Sequence, residues 1–131
     1  MNLSIPARKD LVLKTEKEIF VDSISELICD KIQFAIKTNQ KYICIRDIFK
    51  KINNYTKNKT IRENIAKDIQ EALNKKGYYN TIKSSLRAKY LLIVLNNDYQ
   101  EEAIKELNNI IRGDTASFFF VIFIILLIIK I

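Results

Sequence analysis

Apolar positions along this chain follow three rhythms, and each asks for a different element. From Phe20 to Ala35 they recur at Phe20, Ile24, Leu27, Ile28, Ile32 and Ala35, the spacing of one helix face. Thr15-Glu-Lys-Glu18 just ahead has the form of a capping box, in which the Thr15 hydroxyl and Glu18 satisfy each other's backbone amides. A helix is predicted over about 16–38, ended by Thr-Asn-Gln. Tyr42-Ile-Cys-Ile45 is a short β-prone run, and Arg46–Asn53 reads as a two-turn helix with Ile48, Phe49 and Ile52 inward. The polar stretch Asn53–Lys59 reads as a turn. A second capping box, Thr60-Ile-Arg-Glu63, opens a helix carrying Ile61, Ile65, Ile69, Ala72 and Leu73 on one side, with Gly77 placed to stop it in a left-handed conformation. With Ile65 and Ile69 inward, Thr60, Glu63, Lys67, Gln70 and Asn74 turn outward.

The rhythm then changes. Tyr78–Lys83 and Lys89–Leu95 read as two strands joined by Ser84–Ala88, and the run Tyr90–Leu95 is apolar enough to be buried on both faces. Asp98 with Glu101 is expected to cap a further helix with Tyr99, Ala103, Ile104, Leu107, Ile110 and Ile111 as its stripe. Gly113-Asp-Thr is expected to break the chain after it. With two Gly and one Pro in 131 residues, regular elements should dominate. The fold class is α+β: a mainly helical small domain with a β-hairpin, followed by a C-terminal hydrophobic helix. Residues 1–14 form an N-terminal arm, 15–113 the domain and 116–131 the tail.

The tail has the third rhythm, which is none at all. Twelve consecutive apolar residues run from Phe118 to Ile129, and a helix apolar all round has no face to show to water. Residues 116–131 make roughly 24 Å of helix at ~1.5 Å per residue, short of a hydrocarbon core of about 30 Å. Snorkelling of Lys130 and local thinning of the bilayer absorb the difference. Phe118, Phe119, Phe120, Phe123, Leu126 and Leu127 are the expected lipid-facing residues. The competing expectation is a buried C-terminal core helix or strand. The first ten residues lack the apolar core of a signal peptide, so the expected location is a membrane, as a single-pass C-terminal anchor with the domain on the cytoplasmic side.

Charge sharpens the picture. The net charge is +7, yet residues 41–95 alone carry thirteen basic against four acidic residues, while residues 1–40 balance six against six. A block holding more than the whole excess suggests a footprint for a polyanion, either nucleic acid, an acidic protein surface or an anionic leaflet. The bland alternative is a solvated, solubilising surface.

Candidate chemistry adds little. With no histidine, the Ser-His-Asp and Cys-His mechanisms are closed, and two cysteines without CxxC spacing make no standard zinc site. Cys29 and Cys44 are expected as small buried hydrophobes. Gly77 and Gly113 are isolated, so there is no glycine-rich phosphate loop. Glu16, Glu18, Glu26 and Asp30 read as solvated helix-surface charges with Lys neighbours. No enzymatic activity, cofactor or metal is expected.

The order helix, Tyr42-Ile-Cys-Ile45, short helix with Ile48-Phe49, the helix ending Ile69-Gln-Glu-Ala-Leu-Asn-Lys-Lys-Gly-Tyr78, then a hairpin through Tyr90–Leu95 resembles the winged helix-turn-helix over roughly residues 16–95. The resemblance is one of element order. It implies a third helix lying in the DNA major groove and a hairpin wing touching flanking phosphates or the minor groove. On that reading Thr60, Lys67 and Gln70 face the groove, where Lys and Gln suit phosphates and base edges. Lys57 and Lys59 in the turn, with Lys83, Arg87 and Lys89 in the hairpin, contact phosphates. Asp68 and Glu71 on the flanks oppose a strongly attractive groove face, and the scarcity of Arg implies non-specific binding. The function expected is a tail-anchored DNA- or polyanion-binding protein. The alternative is a membrane-tethered protein–protein interaction or assembly factor, viral or from a mobile element, with homo-oligomerisation through Tyr90–Leu95 as its sign.

Overall fold

A strand as apolar as Tyr90–Val94 needs cover on both faces, and this demand organises the fold. In this computed structural model, which describes residues 15–130, α1 (Glu16–Lys37) is followed by β1 (Tyr42–Ile45), α2 (Asp47–Tyr55) and α3 (Lys59–Lys75). Strands β2 (Tyr79–Ser84) and β3 (Lys89–Val94), a 3-10 turn (Asn97–Tyr99) and α4 (Gln100–Lys130) complete it. The expected N-terminal arm, residues 1–14, lies outside the described residues, as does Ile131.

The sheet is antiparallel with β3 in the centre, β1 on one side and β2 on the other. Leu91 and Ile93 point into a core built by Ile24, Ile28 and Ile32 of α1, Ile48 and Ile52 of α2, and Ile65 and Ile69 of α3. Tyr90, Leu92 and Val94 point the other way, onto Ala103 and Leu107 of α4. Every second residue of β3 therefore belongs to a different core, as the pleat requires. The α+β class stands, with Tyr42–Ile45 joining the hairpin as a third strand.

Local chemistry sets the ends. Thr15 Oγ1 accepts from Glu18 N at 3.2 Å and starts α1. Asn39 closes it in the left-handed region at φ 58, which Asn tolerates. Gly77 (φ 86) stops α3, with Tyr78 N donating to Leu73 O at 3.0 Å.

Five expectations need correction. The cap of α3 is Asn58, whose Oδ1 accepts from Ile61 N at 3.1 Å, so the helix begins one residue before Thr60. Because α2 also runs on to Tyr55, the turn between these helices is three residues, Thr56–Asn58. Asn96, and not Asp98, supplies the cap before α4, accepting from Asp98 N at 3.0 Å at the head of the 3-10 turn. Ile61, Ala72, Cys29 and Cys44 are exposed instead of buried; the first two flank a stripe that Ile65, Ile69 and Leu73 already fill.

The fifth correction matters most. Gly113-Asp-Thr does not break the chain, and α4 runs uninterrupted for 31 residues. Gly113 has no positive φ, the Thr115 hydroxyl bonds back to Ile111 O at 3.0 Å, and Asp114 is held by the hairpin. Helical geometry satisfies all three residues, and one interior Gly costs only ~1 kcal/mol. The C-terminal part is long and apolar enough to span a membrane, and none of its most apolar window is buried. The buried-tail alternative is thereby corrected: Phe119, Phe120 and Phe123 stand free of the domain.

Candidate polyanion interface

The outward side of α3 meets α2 and the hairpin in a shallow cleft of about 420 Å³, rimmed by Lys59, Arg62, Lys67, Gln70 and Lys89. Burial of Ile65 and Ile69 turns this face out. Three contacts shape it. Arg62 donates to Asn53 Oδ1 at 3.2 Å and to the Lys57 carbonyl at 3.4 Å, fastening the end of α2 and the turn to α3. The Lys89 ammonium sits 5.8 Å from the centroid of the Phe49 ring, which holds a hairpin cation over the cleft. Lys59 reaches Glu63 at 3.9 Å, but both are so exposed that the pair is worth little and leaves Lys59 free for another anion.

Asn80 seats α3 on the sheet. Its Nδ2 donates to Asn74 Oδ1 at 2.8 Å and to Gln70 O at 3.4 Å.

Of the acidic residues of the basic block, Glu63 lines the cleft itself, while two others are turned aside. Asp68 pairs with Lys17 of α1 at 3.5 Å, and Asp47 with Lys31 of α1 at 3.8 Å. Two of the block's four carboxylates are thus met by lysines from the electrically balanced N-terminal third.

The residues expected from sequence divide into two groups. Lys59, Lys67, Gln70 and Lys89 come together around the cleft, with Lys57 exposed in the adjoining turn and Thr60 exposed on the first turn of α3. Lys83 lies on the opposite face of the sheet, donating to Asn108 Oδ1 of α4 at 2.9 Å. Arg87, in the hairpin turn, is not among the residues lining the cleft, and its charge helps lower the Asp114 carboxyl of α4. Arg62 was missing from the expected set, although it follows Lys59 by one helical turn and so shares its face.

On the α4 side the hairpin is latched. Ser85 Oγ and Tyr90 Oη both donate to Asp114 Oδ2, at 2.8 and 2.5 Å. The Tyr90 and Ser85 hydrogen bonds hold the Asp114 carboxyl below the usual carboxylate range, against the opposing effect of burial. The same bond to Asp114, then burial, raises the Tyr90 phenol, with the Arg46 guanidinium acting in the other direction.

Beside the edge strand β1, a groove of about 550 Å³ separates α1 from α4, with Phe34, Cys44 and Glu106 on its walls. Tyr42 donates to Glu106, and that bond first, then burial, pushes its phenol up to about 12. Although Cys44 is exposed at the surface, the groove walls partly desolvate its thiol, and that desolvation, then the Glu106 charge, pushes it up to about 11. Among the described residues no His, Cys, Asp and Glu side chains gather into a metal-binding group. No protein-family model, no curated protein and no solved structure matches the chain.

Proposed function

We propose that this chain is a non-enzymatic, membrane-anchored protein whose α3 face binds DNA at the cytoplasmic side of the membrane. One observation carries the reading: Lys59, Arg62, Lys67 and Lys89 converge on a single cleft while Asp47 and Asp68 are drawn off by α1 lysines. The three-residue turn between α2 and α3 and the hairpin beside α3 support a winged-helix-like docking, since a tight turn is what sets a recognition helix against its partner. Gln70 is the base-edge candidate and the cations are phosphate contacts, so binding is largely non-specific.

The test is titration of full-length protein in detergent micelles with duplex DNA over a salt series. Four phosphate contacts give a log–log slope of about −3.6, or roughly a 100-fold loss of affinity for a fourfold rise in salt. Lys59→Glu, Lys67→Glu and Lys89→Glu each flatten that slope, and Lys105→Glu on α4 leaves it unchanged. Salt-independent or absent binding refutes the reading.

A protein partner is the competing reading, favoured by the groove beside β1 and the exposed Phe34 on its wall. The strand expected to mediate self-association, Tyr90–Val94, is paired on both sides and buried, so pairing between chains falls to the edges.

A further inference from the structure

The hairpin turn is tied to a defined height on α4. Asp114, which receives Ser85 and Tyr90, lies four residues before Phe118, where the unbroken apolar run begins, or about 6 Å along the helix axis. Because α4 is unbroken through Gly113, that height is fixed relative to the tail. The turn itself is stiff: Ser85 N donates to Ala88 O at 2.7 Å, and Ser85 Oγ accepts from Arg87 N and Ala88 N at 3.2 and 3.0 Å.

The turn presents an apolar residue and a cation side by side. Leu86 at its tip is 56% exposed, and Arg87 follows it. The charges of Arg87 and Arg46 both act on the Asp114 carboxylate, and exposed Arg112 lies two residues, about 3 Å along the axis, before it on α4. An apolar tip followed in sequence by a guanidinium, and tied near the start of an apolar helix, matches the layered chemistry of a bilayer surface. Acyl chains meet Leu86, and lipid phosphates meet the arginines.

We infer that the hairpin turn is a second membrane contact, with Leu86 entering the interface and Arg87, Arg46 and Arg112 binding anionic lipid headgroups. The inference rests on the reading of the tail as a spanning anchor. It goes beyond it by fixing the orientation of the domain, and it assigns Arg87 to lipid instead of DNA. Each cation placed against an anionic leaflet strengthens the contact roughly fivefold.

The chain has no tryptophan, so single substitutions make unique reporters. Leu86→Trp, Phe123→Trp and Asn97→Trp are compared in full-length protein reconstituted into vesicles containing phosphatidylserine and lipids brominated on their acyl chains. Asn97 precedes Gln100, itself about 21 Å along α4 from Asp114. The expected result is quenching at positions 86 and 123 and none at 97. Adding Arg87→Glu, or replacing phosphatidylserine with phosphatidylcholine, should reduce quenching at 86 severalfold and leave 123 unchanged. Quenching at 123 with an unquenched 86 overturns the hairpin contact while the anchor stands. No quenching at either position overturns both.

Discussion

The chain's two glycines sit in opposite conformations, and replacing each with alanine should move stability in opposite directions. Gly77 has φ +86, and a Cβ added there meets nothing within 4 Å, so the cost of Gly77→Ala is purely conformational. The left-handed region costs an L-residue about 1–2 kcal/mol, and the stiffer unfolded chain returns roughly 0.4–1 kcal/mol. The net loss is about 1 kcal/mol. Gly113 is interior to α4, has no positive φ and is equally open around its Cβ. Gly113→Ala should therefore gain ~1 kcal/mol from helix propensity alone. Amide hydrogen exchange on full-length protein in bicelles reads both sites locally, about fivefold per kcal/mol. Exchange at Lys75–Tyr78 should quicken about fivefold in Gly77→Ala. Exchange at Asp114–Ser117 should slow about fivefold in Gly113→Ala. If Gly113→Ala instead speeds exchange there, the glycine is a helix stop, α4 is two helices, and the fixed height of the hairpin falls with it.

Asn58→Ala should destabilise the protein by about 1 kcal/mol in a denaturant titration, as loss of a helix cap does, while Thr60→Ala stays within a few tenths. Leu107→Ala, at a side chain 1% exposed between α4 and the sheet, should cost about 2–5 kcal/mol in the same titration. Since the folded Asp114 carboxyl titrates below its ordinary range, the stability it lends is complete above that range and disappears as pH falls through the lower folded value. Tyr90→Phe removes the largest cause of that depression, so the carboxyl signal of Asp114 should titrate at higher pH by NMR. In a Cys29→Ser background, alkylation of Cys44 by iodoacetamide should keep rising with pH toward about 11, and Glu106→Gln should quicken it at pH 8.

What the sequence disclosed was whatever depends on near neighbours. The inward faces of α1, α2 and α3 follow from 3.6-residue spacing, and the left-handed stop at Gly77 from a glycine after Leu73. Competing local signals were harder to separate. Asn58 and Thr60 are both sound caps two residues apart, and nothing local ranks them. Gly113-Asp-Thr has the composition of a break, but the hairpin that holds Asp114 in place comes from 24 to 29 residues earlier. Lys83 illustrates the same limit in the candidate site. It pairs with Tyr90 across the sheet and therefore shares Tyr90's face toward α4, whereas Lys89 shares the face of Leu91. That assignment requires knowing which helix covers which face. The pairing of Asp68 with Lys17, 51 positions earlier in the chain, is likewise invisible until α1 and α3 are packed.

On the proposed reading, the sheet is the element that would reconcile a DNA-binding face with a membrane anchor. A tail on a flexible linker would let the domain tumble, and the basic cleft would spend part of its time against the leaflet. Here Ala103 and Leu107 are buried on the sheet and the same helix continues into the apolar segment, so orientation is set by a core, not a tether. Helix α3 and its cleft lie on one face of β3, and α4 lies on the other. The division of the cations follows: Lys59, Arg62, Lys67 and Lys89 lie on the α3 side, while the charge of Arg87 in the hairpin turn acts on Asp114 of α4. Two polyanions can then be engaged together without sharing a side chain. A variant lacking Arg87 should accordingly have its attraction for anionic vesicles weakened about fivefold and keep its salt-dependent affinity for DNA. Loss of both would mean that one basic surface serves a single partner.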